Sequence, residues 1–171
     1  KAMSATVVAA GTGRAPGDAL SYTGGTSSIT AVFTIATTKV VSATIATAGT
    51  GGADGAQTAT GTTGTGTKFV IAVTVSGGAI TAIGAITTAG SYTANPSNIA
   101  SEPVTVTGGG LTDARLNVVM GAATGTITTA GSYTVLPSNP ISLSAGSVTV
   151  TGYWGVLSVT TVSGGSGYTT P

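Results

Sequence analysis

The sequence predicts an all-β protein, and three observations lead to that prediction. Apolar and Thr or Ser residues alternate with a period of two, glycine clusters separate these runs, and helical patterns are scarce. The alternation predicts strands over residues 29–35, 69–75, 104–107 and 147–151. The one helix candidate, 111–120, contains Asn117-Val118-Val119, which favours a strand equally.

Glycine clusters predict the turns between these strands. Because glycine lacks a Cβ, it adopts positive φ without steric cost. The clusters lie at residues 24–25, 51–52, 77–78, 108–110 and 164–165.

An internal repeat organises the chain. The octet Ile-Thr-Thr-Ala-Gly-Ser-Tyr-Thr occupies residues 86–93 and recurs at 127–134, displaced by 41 positions. Weaker copies align four anchor glycines, Gly11, Gly49, Gly90 and Gly131. Such a repeat indicates one supersecondary unit used several times. We expect units of about three short strands each, at 1–39, 40–78, 79–122 and 123–157, and the start of a truncated fifth unit at 158–171.

The composition suggests how such units are stabilised. The 171 residues include 28 glycines, only 5% are charged and 5% aromatic, and the net charge is +1. Burial yields about 25 cal/mol per Å², so small side chains stabilise a lone subunit weakly against chain entropy. We therefore expect an elongated tandem of β-repeat units, interleaved or stacked in a homo-oligomer, with a trimer favoured. A β-solenoid, a chain of small β-domains and a trimeric β-prism are the architectures that fit.

The inventory of reactive groups predicts no enzyme. The chain has no His and no Cys, and general acid–base or nucleophilic catalysis needs a positioned base or a pair of carboxylates. The four acids, which we expect to be solvated turn residues, are spread over three units: Asp18, Asp54, and the pair Glu102 and Asp113, which are eleven residues apart across a glycine loop. We expect no cofactor and no metal site, the alternative being a cation on a trimer axis held by copies of Asp54 or Asp113.

Phosphate, nucleic acid and membrane are three further partners that we do not expect. Residues 61–68 look like a phosphate loop, but Thr67 separates Gly66 from Lys68 and Phe69 replaces the required hydroxyl residue. The basic residues are scattered, which argues against nucleic acid. No run approaches the ~20 apolar residues that cross a bilayer, so we expect no membrane partner.

The aromatic residues are the candidate contact sites. Tyr92, Tyr133 and Tyr168 follow the repeated turns, whereas Tyr153 and Trp154 break the repeat. All five are candidates for interface or glycan contact, because exposed rings stack on sugar faces. For the three turn tyrosines we favour the competing interpretation that each ring packs over its own glycine turn. Trp154 is a candidate interface anchor, with simple burial as the alternative.

Residues 89–93, 103–110 and 164–171 resemble the Gly-Ser-Gly-Tyr-type β-repeats of virion structural proteins in tailed bacteriophages, both fibre-like and capsid-decorating. Similar stretches occur in large bacterial surface proteins. The resemblance is closer over 79–171 than over 5–78, where Arg14 stands in place of the tyrosine. It implies a non-enzymatic structural component of a virion, in contact with other virion proteins. The alternative is a carbohydrate- or receptor-binding segment of a tail fibre or of an adhesin on the bacterial cell surface.

Overall fold

We analysed a computed structural model, which describes residues 1–144 and 147–159. In this part of the chain all regular structure is β, which confirms the predicted class. The strands are β1 (Ala2–Ala10), β2 (Ala19–Ser21), β3 (Thr26–Ile29), β4 (Val32–Thr47), β5 (Gly55–Gly61), β6 (Thr65–Thr67), β7 (Val70–Ser76), β8 (Ala79–Thr88), β9 (Ser91–Ala94), β10 (Glu102–Val106), β11 (Arg115–Thr129), β12 (Ser132–Val135), β13 (Ile141–Ser142) and β14 (Val148–Trp154).

The predicted strands at 69–75, 104–107 and 147–151 correspond to β7, β10 and β14. The run 29–35 is divided between β3 and β4, and the ambiguous segment 111–120 leads into β11. Residues 160–171 of the expected fifth unit, including Tyr168 and the glycine pair 164–165, lie outside the described residues.

Two strands are much longer than the short strands that we expected. β4 has 16 residues and β11 has 15, and they pair antiparallel along most of their length with several register shifts. Such shifts mark β-bulges, which increase local twist and bend a strand pair. The β4–β11 ribbon therefore serves two separate cores, with Phe33 and Ile35 of β4 in one and Val40 in the other.

The first core lies in a closed layer that we call the central barrel. The sheet order β4-β11-β10-β5-β7-β8 brings β8 back to β4, where the Ile80 N–H donates to Ala48 O (2.9 Å) and the Val40 N–H to Ala89 O (2.9 Å). Its largest interior side chains are Phe69, Ile71, Tyr92, Leu116 and Met120. The apolar alternation of β7 thus points into this barrel.

The second core lies in what we call the terminal barrel. It is formed by β1, β2, β13, β14, the N-terminal part of β4 and the C-terminal part of β11. β1 pairs with β14, β13 pairs with β14, and a bridge from Tyr22 to Leu143 joins β2 to β13. The Ala2 N–H donates to Ala130 O (2.7 Å), which closes β1 against the end of β11. Phe33, Ile141 and Val150 lie in its core.

The two barrels are built alike, which relates the two halves of the chain. β1, β2, β4, β5 and β7 correspond in order to β8, β10, β11, β13 and β14. For example, Val70 and Val148 open equivalent strands 78 positions apart. The closing bond from Ala2 to Ala130 repeats the one from Ile80 to Ala48. Each barrel therefore contains strands from both halves.

The four anchor glycines occupy equivalent places in this arrangement. All have positive φ, between 61° and 77°, and each follows a long strand. A Cβ on Gly49, Gly90 or Gly131 would lie 2.8–2.9 Å from a carbonyl oxygen, and one on Gly11 would lie 3.0 Å from Val148 N. β4 crosses the expected boundary at residues 39–40, and the unit boundaries stay a prediction.

Candidate functional site

The two copies of the repeated octet have the same local structure. In each copy the tyrosine ring lies over the glycine two residues earlier, because a Cβ on Gly90 or Gly131 would come within 2.6 Å of the Cε2 of Tyr92 or Tyr133. Each hydroxyl accepts a backbone N–H, from Phe69 (2.8 Å) and from Ala31 (2.9 Å) respectively. The tyrosine of each octet therefore holds its turn against the segment that precedes a core strand, β7 in one case and β4 in the other.

Tyr92 is completely buried, so it offers no ring face at the surface and cannot contact a glycan there. Its ring closes the central barrel, and the Lys68 ammonium lies 5.8 Å from the ring centroid. Burial raises the pKa of the Tyr92 hydroxyl, the Phe69 N–H opposes that shift, and Glu102 adds to it. Its surroundings leave no role for Tyr92 beyond packing and hydrogen bonding.

Trp154 lies between two tyrosines at one end of the terminal barrel. Its ring packs edge to face on Tyr133 (5.2 Å between centroids) and on Tyr22 (6.0 Å). Edge-to-face aromatic pairs contribute about 0.5–1.5 kcal/mol beyond their buried area. The structure thus brings together Tyr133 and Trp154, which were predicted separately, and adds Tyr22, which carried no repeat signal.

A cleft of about 590 Å³ opens beside this aromatic cluster. Tyr133 and Trp154 form one wall, and Leu136, Val156 and Leu157 contribute apolar side chains at its rim. Tyr153, the residue before Trp154 on β14, is 55% exposed. Of the predicted contact residues, Tyr133, Tyr153 and Trp154 are therefore grouped on one barrel, while Tyr92 lies in the core of the other.

Exposed apolar side chains gather on the same barrel. Ten large hydrophobic residues are exposed among the described residues, and nine belong to β1, β3, β12, β14 or the segments that follow them. They are Met3, Val8, Ile29, Val135, Leu136, Tyr153, Val156, Leu157 and Val159. The tenth, Ile99, precedes β10 of the central barrel. Three of them, Leu136, Val156 and Leu157, line the cleft beside Trp154, and an exposed apolar patch of this kind is typical of interaction sites.

Glu102 is a buried acid, which corrects our expectation of a solvated turn residue. Its side chain is fully buried. One carboxylate oxygen accepts the N–H groups of Thr62 (2.8 Å) and Thr63 (2.7 Å), and the other accepts the Thr63 hydroxyl. The Lys68 ammonium donates to the carbonyls of Thr63 and Gly64 on the same loop. A carboxylate of the chain itself thus fills the loop that resembled a phosphate site.

The other three acids lie at turns. Asp54 accepts the Gly78 N–H (2.9 Å), and the Gly78 and Gly77 N–H groups lower the pKa of its carboxyl. Asp18 and Asp113 pair with Arg14 (4.0 Å) and Arg115 (3.7 Å). Within residues 1–144 and 147–159 no three His, Cys, Asp or Glu side chains come together as metal ligands.

Tyr22 is the unusual polar group of the terminal barrel. It is buried, and among the described side chains its hydroxyl is the one buried polar atom without a hydrogen-bond partner. Burial, with a smaller contribution from Tyr133, raises the pKa of Tyr22 to about 12. An unpaired buried hydroxyl destabilises the fold. The stability of a variant that lacks this hydroxyl therefore tests the packing around Trp154.

The described part of the chain contains no helix that is apolar and long enough to cross a membrane. Comparison of the chain with protein-family models, with curated proteins and with solved structures gives no match.

Proposed function

We propose that this protein is a non-enzymatic structural component of a phage virion, a fibre or capsid-decoration protein, which assembles as a homo-oligomer. We favour a trimer in which the barrels stack into an elongated β-rich body and contact other virion proteins. The resemblance of the tyrosine turns to virion β-repeats motivates the virion location.

The observation that carries the proposal is the apolar surface of the terminal barrel. Val156 and Leu157 are 72% and 57% exposed, and Leu136, which lines the same cleft, is 50% exposed. Covering such side chains gives about 25 cal/mol per Å². With so few charges on the chain, little repulsion opposes contact between copies.

The polar side chains that are candidates for catalysis support the same proposal, because they are held in hydrogen bonds within the chain. Glu102 is held by backbone and hydroxyl donors of its own loop, and the hydroxyls of Tyr92 and Tyr133 are held by backbone N–H groups. A group already committed to internal hydrogen bonds is a poor candidate for proton transfer. We therefore assign these residues to the stability of the fold.

A second candidate function is receptor or glycan binding, as in a tail fibre or a bacterial surface adhesin. It is favoured by the cleft that Tyr133 and Trp154 line, and by the exposed Tyr153, which precedes Trp154 on β14. A glycan array separates the two candidates, because a structural protein should bind no glycan. Binding that is lost in Trp154→Ala and kept in Tyr92→Phe would establish the second candidate.

The mass of the undenatured assembly tests the first candidate. We expect a trimer for the wild type and dissociation in the double variant Leu136→Lys/Leu157→Lys. Ile99→Lys is the matched control, because Ile99 is 41% exposed and lies outside the apolar surface of the terminal barrel. A wild type that stays monomeric, or a control that dissociates as readily as the double variant, would rule out this interface.

A further inference from the structure

We propose that β1 is exchanged between copies of this chain, so that β1 of one copy completes the terminal barrel of the next. This inference rests on the proposed function, in which the chain works as an oligomer, and it identifies the contact between subunits. An exchange of this kind is head to tail, and three copies can close it into a ring.

The two barrels differ in how the last strand pair of each is connected. In the central barrel β8 pairs with β7 and is joined to it by the two-residue turn Gly77-Gly78. In the terminal barrel the equivalent place beside β14 is filled by β1, from the other end of the sequence. After β14 the chain continues through Gly155 into the exposed Val156 and Leu157. No short connection therefore ties the pair β1–β14 to a single copy.

β1 contributes little to the core that it closes. Only Ala2 is buried among its nine residues, and Ala5 and Val7 pack partly against the core. Met3 and Val8 are exposed, and the pairing with β14 contains two register shifts. Because buried apolar area sets the cost of detachment, β1 is the long strand that leaves its barrel most cheaply.

Residues 11–13 form the hinge between β1 and the rest of the chain. Residues beyond it are fixed to their own copy, since the Arg14 N–H donates to Met120 O (3.1 Å) and the Gly17 N–H to Ile35 O (2.8 Å). Between β1 and Arg14 lie only Gly11-Thr12-Gly13, and both glycines have positive φ. A short connection that adopts either of two directions is where strand exchange between copies arises.

The strand that fills this place from outside is β1 of a second copy, because the pairing within one chain already fits it. A β1 from a second copy makes the same pairs with β14, including Thr6 with Thr151 and Val7 with Val150. Exchange loses none of the contacts of the barrel. It also places the donor copy, which is joined to β1 through Gly11, at the Val148 end of β14, where the exposed Val8 can then be covered.

Disulfide trapping tests the exchange cleanly, because the chain has no cysteine of its own. Thr6→Cys and Thr151→Cys are made in separate chains, one carrying an isotopic mass label, and the two are refolded together before oxidation. The matched control pairs Thr60→Cys with Thr105→Cys, which are partners on β5 and β10 of the central barrel. In both pairs one threonine is exposed and the other half-buried.

We expect a disulfide between one labelled and one unlabelled chain in the first mixture, at several times the amount in the control mixture. The double variant Thr6→Cys/Thr151→Cys should give covalent multimers rather than a cross-linked monomer. A first mixture with no such disulfide, together with a double variant that yields only cross-linked monomer, would overturn the exchange. Equal cross-linking in the control would also overturn it, because a larger segment would then be exchanging.

The mass of the undenatured wild type separates the two failures. An oligomer without cross-linking between the Thr6→Cys and Thr151→Cys chains would leave the proposed function standing and remove β1 as its contact. A monomer would remove both.

Discussion

At the scale of single residues, the hydroxyl of Tyr22 offers the most direct test of packing in the terminal barrel. Leaving a buried hydroxyl unpaired costs about 1–3 kcal/mol, so Tyr22→Phe should raise the free energy of unfolding by about 1 kcal/mol. Denaturant titration measures it. Tyr133→Phe is the control and should lower stability by about 1 kcal/mol, because it removes the acceptor of the Ala31 N–H. A loss in both variants would contradict this description of Tyr22.

Tyr22 also predicts how stability depends on pH. The pKa is raised from 10.0 to about 12 in the folded chain, so the fold prefers the neutral hydroxyl. This contribution is complete below pH 10 and is lost as the pH rises from 10 to 12, where the unfolded tyrosine ionises first. Unfolding measured at both ends of that range should show a smaller loss in Tyr22→Phe than in the wild type. Equal losses would mean that Tyr22 titrates normally.

Glu102 should be costly to replace. Hydrogen bonds to a charged group contribute about 1.5–3 kcal/mol, and a Gln that keeps its oxygen on the Thr62 and Thr63 N–H groups loses the charge and must reverse the hydrogen bond of the Thr63 hydroxyl. We therefore expect Glu102→Gln to lower the free energy of unfolding by about 2 kcal/mol. Asp113→Asn, at an exposed turn, should change it by less than about 0.5 kcal/mol. Denaturant unfolding of both proteins compares them, and a neutral Glu102→Gln would show that the carboxylate is not needed.

The sequence predicted some of these residues and missed others for a physical reason. The ring of Tyr133 over its glycine was predictable because both residues belong to one short motif. The burial of Glu102 was not, because its donors lie on a loop 40 residues earlier. Tyr22 escaped notice because the residues that surround it, such as Trp154, approach only after the barrel closes.

At the scale of elements, the anchor glycines terminate strands in a way that no other residue can. Gly131 has a φ of 69°, and a Cβ there would lie 2.7 Å from Ala31 N. Gly131→Ala combines backbone strain with overpacking and should cost roughly 2–4 kcal/mol. Gly13 has a φ of 66° with nothing within 4 Å, so Gly13→Ala should cost only the strain, about 1 kcal/mol. Thermal melts rank the two variants, and equal losses would mean that close packing at Gly131 contributes nothing.

The glycine turns and most strands were predictable from the sequence because they depend on neighbouring residues. The lengths of β4 and β11 were not, because each joins two apolar runs that face different cores. Bulges make the join, and a bulge has no reliable signature in alternating small residues. This is also why 29–35 reads as one strand although Thr30 and Ala31 interrupt it.

At the scale of the whole molecule, the chain builds two cores from residues that seemed too small for the task. Among the described residues, twenty-three buried hydrophobic side chains are divided between the barrels, and every long strand has at least one hydrogen-bonded partner. One chain with such small side chains therefore buries more apolar surface than we expected from their size. The case for an oligomer now depends on the apolar surface of the terminal barrel and on the exchangeable position of β1.

The equivalence of the two halves could not be predicted from the sequence. The octets at 86–93 and 127–134 indicate a period of 41, yet the contacts relate strands about twice as far apart, as with Val70 and Val148. Pairing between distant strands depends on which sheet edges meet, and the periodicity of a single strand contains no such information.

The dependence of the melting temperature on protein concentration tests the central claim, that copies of the chain complete the folded state, most directly. Over a hundredfold dilution we expect the melting temperature to fall, because dissociation and unfolding are linked when subunits complete one another. Leu136→Lys/Leu157→Lys should melt lower and show little dependence on concentration. A wild type that melts cooperatively at one temperature across the whole range would contradict the account.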